Sequence, residues 1–540
     1  MWYIENGNSR KIDNFVNYSI PNIQKYGTSN LFKIQRIQEK RMKQEYEDNS
    51  SKYSIDNPYI KLNPYERNYL SAYIKIPTDN KVKYKYVVKG KTSDTDFSFS
   101  SDTYVKDPVI PVVSLYNHYN NNVEVTLEDK DGNKTTKNYK IKVDSEIDTE
   151  ISKVDIKKIN VEESNSILDQ RFIMDSTGNG FDSNGDLRLK FHYNYANTFM
   201  KPVNNKFLTG FTDESYLPTK YYSKYVYQMN AMGKFNPDFL LKAPKNKGIH
   251  HDIIYSKDTN KIYALYSMKQ GEKHYSEKEY GESGIAIYNA DSLKLEKHFT
   301  LTDQIPVDMP AYQNSAPFDV HLNSIAYDNN RDEIIVNSRS FSKIFGLDPN
   351  TGEINWILGD PQSTPDSLKD KLLKQVGDEI TYTYGEHSLY IRKSSNYQKY
   401  YDEGKLVITV FDNSNNEIDS NYGSVVYPFN TMKNGIHLSP NDVDNLNDEV
   451  NNSRLITYAI DFKTNTYETI DNIELNGNSP YVSNIFTLDD KYLVTYLGDS
   501  GEIQIFDFND KEVTRINGLS IAYRAYIYDY SGVGQSLLEF

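Results

Sequence analysis

Four of the nine histidines in this chain fall at three strand starts: His250-His251-Asp252-Ile253-Ile254, His321-Leu322-Asn323-Ser324-Ile325 and Glu386-His387-Ser388-Leu389-Tyr390. Each start runs into an alternating apolar segment and then a turn rich in Asn, Asp, Lys and Ser. Aligning the apolar positions puts His251, Asn323, His387 and Ser483 in equivalent places, with His321 two residues ahead of Asn323. Arg339 follows in the next strand of the His321 repeat. Near neutral pH an imidazole can attack, accept or donate, and a guanidinium offers a planar fork of donors. A pocket joining several imidazoles to an Asn, a Ser and an Arg suits a tetrahedral oxyanion. A lone strand-start His usually caps a turn or satisfies a core; four at repeated positions argue for one shared site. His118, His192, His274, His298 and His437 lack that placement and read as surface or packing residues. Asp252 and Asp319 read as groups that orient neighbouring rings.

Composition narrows the chemistry. Cysteine is absent, which excludes disulfides, thiolate catalysis and Cys-ligated metals. The formal net charge of −14 argues against nucleic-acid binding and against a polybasic membrane anchor, so an anionic substrate needs a local cationic site. No apolar run approaches the length of a membrane span. The start, MWYIENGNSR, lacks the basic-then-apolar pattern of an export signal, which a mature or trimmed form would hide.

These side chains must be positioned by strands. At 540 residues the chain is too long for one ordinary domain. Residues 1–50 predict a helical segment, with Leu31, Phe32, Ile34, Ile37 and Met42 on one face. Residues 51–150 alternate like strands and carry the turn Lys130-Asp131-Gly132-Asn133, predicting a small β-sandwich. Residues 149–162 read as a linker or connecting strand. Across 151–540 a four-strand unit recurs about six times, most clearly as HLNSIAYD, DEIIVNSRS, KIFGLDP and NTGEINWILG, with Gly352 at a hairpin turn. That pattern predicts an all-β fold with a six-bladed β-propeller, in which the first strand of each blade lines one central channel. A large β-sandwich array is the competing fold.

With those elements in place, the sequence resembles the bacterial aryl-sulfate sulfotransferase family over most of its length. The resemblance is carried by GIHHDI (248–253), HLNSI with the downstream SR of NSRS, TGEINWILGDP (351–361), EHSLYI followed by VFDN (410–413), and AYRAYIY (522–528), in that order. The 18 residues from His321 to Arg339 fit the family pattern. The resemblance implies sulfuryl transfer from a phenolic sulfate ester to a phenol acceptor, without a nucleotide sulfate donor, cofactor or metal. It implies ping-pong transfer through a sulfohistidine, with His387 as nucleophile. His251, His321 and Arg339 would then bind the sulfuryl oxygens or protonate the leaving phenol, with Asn323, and more weakly Ser483, orienting or donating. Adjacent strand side chains point to opposite faces, so one of His250 and His251 is expected in the pocket, and alignment favours His251. Arg524 reads as a ring-closure residue. The resemblance also implies an extracytoplasmic location and allows a homodimer through the N-terminal region. Periplasmic relatives carry a disulfide; this chain cannot.

Three other readings use the same residues. Three His with a water could hold zinc in a metal-dependent hydrolase. The sulfohistidine could discharge to water, making an aryl sulfatase. A secreted propeller rich in surface Tyr could bind glycans or proteins without catalysis.

Overall fold

Strands dominate because β-branched and aromatic residues alternate with polar ones over short runs that end at Asn, Asp and Gly. The computed structural model describes residues 2–5, 8–11, 31–146, 151–192, 197–203, 206–211, 223–268, 283–306, 309–312, 320–361, 363–377, 381–414, 418–419, 424–428 and 452–530. Its sheets are almost entirely antiparallel. Among the described residues no helix is long and apolar enough to cross a membrane.

The N-terminal segment departs from its expectation in two ways. The helix covers Leu31–Glu47, while Trp2–Glu5 pairs with Asn8–Lys11 as a hairpin. Ile37, expected to face inward, is 41% exposed, and the buried positions are Leu31, Gln35 and Gln38. The reason is polar docking. The Gln35 side chain donates to Phe235 O and accepts from Phe235 N, both at 2.8 Å, so the helix is turned toward a backbone edge.

Between Tyr59 and Val143 lie a three-stranded and a four-stranded sheet that share one apolar core. Strand Val82–Val88 buries alternate residues, as a one-sided strand must. The predicted turn forms: the Asp129 carboxylate accepts from the backbone N–H of Asp131 and Asn133, and Gly132 supplies the positive φ.

From Asp155 to Asp529 six sheets of four or five strands succeed one another among the described residues. The strands fall where the recurring four-strand unit predicts them. The reading of 149–162 as a linker or connecting strand resolves into a strand: Asp155–Lys158 pairs with Glu512–Asn517 as the fifth strand of the last sheet. In the same manner Ala525–Asp529 completes the first sheet by pairing with Arg171–Asp175. Both ends of this region are therefore latched by strands from the other end.

One strand of each sheet matters most for the site. These are β1 (Asn197–Val203), β2 (Lys247–Ser256), β3 (Leu322–Asp328), β4 (His387–Ile391), β5 (Asn484–Leu488) and β6 (Ala525–Asp529). From β1 to β5 each adjoins the next. A polar side chain also ties successive strands together. Asp252 Oδ2 accepts from Ile325 N at 3.3 Å, and Asn323 Nδ2 donates to Glu386 O at 2.9 Å. Ser388 Oγ accepts from Ile485 N at 3.1 Å. Asn484 joins β5 to β6 by exchanging hydrogen bonds with Ala525 N and O, both 2.9 Å. Apolar cores fill the spaces between neighbouring sheets; Ile335, Ile344 and Trp356 of one meet Leu406, Ile408 and Ile456 of the next.

Candidate active site

β2, β3 and β4 each break register near their start. In β2, His250, His251 and Asp252 lie between the paired residues Ile249 and Ile253; in β3 the extra residue is Asn323 and in β4 it is Ser388. Such bulges re-aim side chains. Left-handed backbone lies in or just ahead of them: φ is +52° at His251, +48° at His321 and +54° at Ser388. Non-glycine residues carry strain there, and such strain gathers where side-chain direction matters.

The bulge in β2 brings the two paired histidines into contact with each other. With alternation broken, His250 Nδ1 and His251 Nδ1 meet in a hydrogen bond, their rings at right angles and 4.6 Å apart. His251 faces the other site groups. Its ring lies 5.0 Å from His321 and 5.1 Å from Tyr523. His250, 1% exposed, backs it, with Nε2 2.9 Å from Ser267 Oγ, which in turn meets Ser283 Oγ at 2.9 Å.

His387 is 2% exposed and its ring lies 6.2 Å from Tyr523. Its Nδ1 stands 2.8 Å from Asn413 Oδ1 and 3.2 Å from Gly385 O. Arg339 donates its backbone N–H to His321 O at 3.1 Å, and its charge acts on both His321 and His387. The structure thus brings His251, His321, His387 and Arg339 into one neighbourhood, with His250 behind.

Asn323 belongs to the scaffold of that neighbourhood. Its amide and that of Asn337 both donate to Glu386 O, at 2.9 and 2.8 Å, holding the peptide that leads into His387. The bulges also correct the sequence alignment. Asp252, Asn323, Ser388 and Asn484 are the equivalent tying residues, so His387 matches Leu322 and not Asn323. Ser483 has a left-handed φ of +94°, and its hydroxyl is occupied within the turn, donating to Ser479 Oγ at 2.9 Å and accepting from Gly498 N at 3.1 Å.

Arg524 does more than the sequence suggests. Its carbonyl accepts from Ser176 N, which helps close the first sheet, but its guanidinium meets Asp252 Oδ1 at 3.0 Å and donates to Asn323 O at 2.9 Å. Lys201 of β1 also meets Asp252, at 2.7 Å. Tyr523 reaches Asn323 O at 3.4 Å. Tyr523, Asn413, Asn337 and Lys201 were not singled out from the sequence. Three of them had a signal there, because Asn337, Asn413 and Tyr523 stand in the conspicuous runs NSRS, VFDN and AYRAY.

Electrostatics set the protonation states. Burial, then the neighbouring His250, His321 and His387 rings and Arg524, hold His251 well below the usual imidazole range. Burial and then Arg339 push His321 down to about 3. Burial and then Arg339 also depress His387, against the opposing pull of Asn413. All three rings are therefore neutral at pH 7 and keep a lone pair. Burial works to raise the Asp252 carboxyl, but Arg524 and Lys201 more than offset it. Neutral imidazoles beside fixed guanidinium charge can hold a tetrahedral anion and present a nitrogen to it. Among the described residues no group of three or more His, Asp or Glu side chains is arranged to hold a metal ion.

The remaining expectations fall outside this neighbourhood. His118 pairs with Asp144 on the surface, His192 packs on Tyr69 and His298 on Tyr266. His274, His437 and Asp319 lie outside the described residues.

Two family models match the chain. The arylsulfotransferase (ASST) model matches residues 156–525 and the arylsulfotransferase Ig-like domain model matches residues 59–144. A comparison with curated proteins gives no match. Among solved structures, similarity is found to a candidate 6-phosphogluconolactonase from Bacteroides fragilis, at 10% identity and TM-score 0.33, covering 84% of this chain and 100% of that one. It is also found to a streptogramin B lyase, at 10% identity and TM-score 0.29, covering 84% of this chain and 98% of that one.

Proposed function

The chain belongs to the arylsulfotransferase family, and on that premise we propose that it moves a sulfuryl group from a phenolic sulfate ester to a phenol by ping-pong through a sulfohistidine at His387. The observation that carries this reading is the convergence of His251, His321, His387 and Arg339, from three successive sheets, on one neighbourhood. His387 attacks sulfur through a ring nitrogen, and the aryl oxygen leaves with the electron pair of the broken S–O bond. Arg339, His251 and His321 receive the charge on the sulfuryl and leaving oxygens. Each well-placed donor of this kind contributes roughly 3–4 kcal/mol to lowering the barrier. Asn323 holds the His387 peptide in place. The six sheets act as blades of a β-propeller whose strands β1 to β6 face a common axis. The family reading also carries an extracytoplasmic location and a homodimer through the N-terminal region.

The test is a two-substrate assay with an aryl sulfate donor and a phenol acceptor, run with and without a chelator. Transfer predicts that added phenol raises donor turnover and that the chelator has no effect. Turnover indifferent to phenol would mean hydrolysis, loss with chelator that zinc restores would mean a metalloenzyme, and no turnover at all would leave a binding protein. His387→Asn is expected to abolish turnover while circular dichroism stays that of the wild type. Labelled sulfate trapped during turnover should map to His387 by mass spectrometry; label on His321 or His251 would reassign the nucleophile.

A further inference from the structure

Asn413 follows strand Leu406–Asp412 and is fully buried. The two ends of its amide can be told apart by their partners. One end lies 2.5 Å from Ser479 O and 3.3 Å from Val482 O. Carbonyl oxygens only accept, so that end is the NH2 group. The other end is therefore Oδ1, and it faces His387 Nδ1 at 2.8 Å. The second partner of Nδ1 is Gly385 O at 3.2 Å, also an acceptor. With acceptors alone around it, Nδ1 must carry the ring proton, and Nε2 must carry the lone pair.

We infer that Asn413 is the positioning residue that fixes His387 in the Nδ1–H tautomer, with Nε2 as the attacking atom, and that its neutral amide keeps the sulfurylated ring easy to discharge. The inference rests on the reading of His387 as the group that takes the sulfur. In the first half-reaction the Nε2 lone pair forms the N–S bond while the S–O bond breaks and its electron pair leaves with the phenolate oxygen. Nδ1 keeps its proton, so the ring becomes an imidazolium bearing an anionic sulfonate. In the second half-reaction the acceptor phenol oxygen bonds to sulfur, its proton passes to the His251 imidazole, and the N–S pair returns to Nε2. A good leaving nitrogen requires the ring to stay cationic until that moment. A carboxylate at position 413 would stabilise the cationic sulfurylated ring more than the neutral imidazole released from it and so slow discharge, whereas the amide orients the ring without adding that charge.

The experiment compares the wild type with Asn413→Ala and Asn413→Asp, each normalised to the folded fraction by circular dichroism. Among the described residues the charged and titratable groups that act on or face His387 include Arg339, His321, His251 and Tyr523, and they are common to all three proteins. In Asn413→Ala, Gly385 O still accepts from Nδ1, so a loss of about 100-fold in kcat with a near-normal KM for donor is expected, less than the roughly 10⁴-fold loss when a His-based triad adopts the wrong tautomer. In Asn413→Asp, rapid mixing with labelled donor should load His387 as in the wild type, but added phenol should discharge it at least about 10-fold more slowly. The acidic limb of its kcat/KM profile should move up by about one pH unit or more, since an adjacent carboxylate favours the imidazolium. Wild-type discharge and an unmoved limb in Asn413→Asp, or full activity in Asn413→Ala, would overturn the inference. If the Asp variant does not fold, the Ala variant decides, and the reverse. A wild type that never carries label on His387 removes the parent reading and this one together, an outcome visible before any variant is made.

Discussion

Glu386 stands one residue before the proposed nucleophile and is fully buried. Burial pushes its carboxyl up to about 8, with Asp412 adding to the rise. Lys343 shares that environment and is pushed down to about 8 by burial. The sign of the pH effect follows. Between the ordinary value of 4.5 and about 8, the folded protein holds the Glu386 proton and the unfolded chain has released it. This stabilising contribution is full below pH 4.5, declines as pH climbs, and is gone above about 8. Glu386→Gln keeps the shape of the neutral acid without its titration. In urea unfolding the variant should therefore gain on the wild type by about 1 kcal/mol per pH unit from pH 5 to 8; parallel curves would show that the carboxyl is already ionised. His251, His321 and His387 stood out in the sequence by residue type and by their place at repeated strand starts, and Arg339 mainly by the family pattern of its 18-residue interval from His321. Asn413, Tyr523 and Lys201 were much less legible, since each acts through a partner far along the chain, and a sequence gives no such distance. Ser483 shares the repeated position but spends its hydroxyl on Ser479 and Gly498.

Strands that start with a bulge explain both the success and the error of the sequence reading at the level of elements. Alternation and turn residues located the strands of the recurring unit. The bulges at Asn323 and Ser388 are invisible in that pattern, and one inserted residue is enough to shift which side chain is equivalent to which. Hence Asn323 aligned with His387, although it is matched by Ser388. The repeated Asp252, Asn323, Ser388 and Asn484 tie each strand to its successor, so the polar strand start that suggested chemistry is in part a mechanical signature. Asn484→Ala tests this. It strips two hydrogen bonds from the buried Ala525 backbone and should cost about 2–4 kcal/mol in denaturant unfolding. Because Ala525 opens β6, directly after Tyr523 and Arg524, transferase turnover should fall as well. A variant within about 0.5 kcal/mol of the wild type would mean that water replaces the side chain.

At the scale of the whole molecule, two strands act as latches: Asp155–Lys158 on the last sheet and Ala525–Asp529 on the first. Arg524 brings a guanidinium from beside that second latch onto Asp252, so the latch and the site share residues. Truncation after Gly518 removes Tyr523, Arg524 and β6 but no histidine. The truncated protein should lack transferase activity and unfold at lower denaturant, as followed by circular dichroism and aryl sulfate turnover; retained activity would show that the latch is dispensable to the site. The pairing also has a consequence for synthesis. A ribosome that has translated as far as Gly518 has already made every imidazole of the neighbourhood, yet the nascent chain still lacks the segment that joins Asn323 and Asp252 to the far end. On the proposed function, the dozen residues from Leu519 to Tyr530 complete the site, and a chain that stops short of them should not turn over an aryl sulfate.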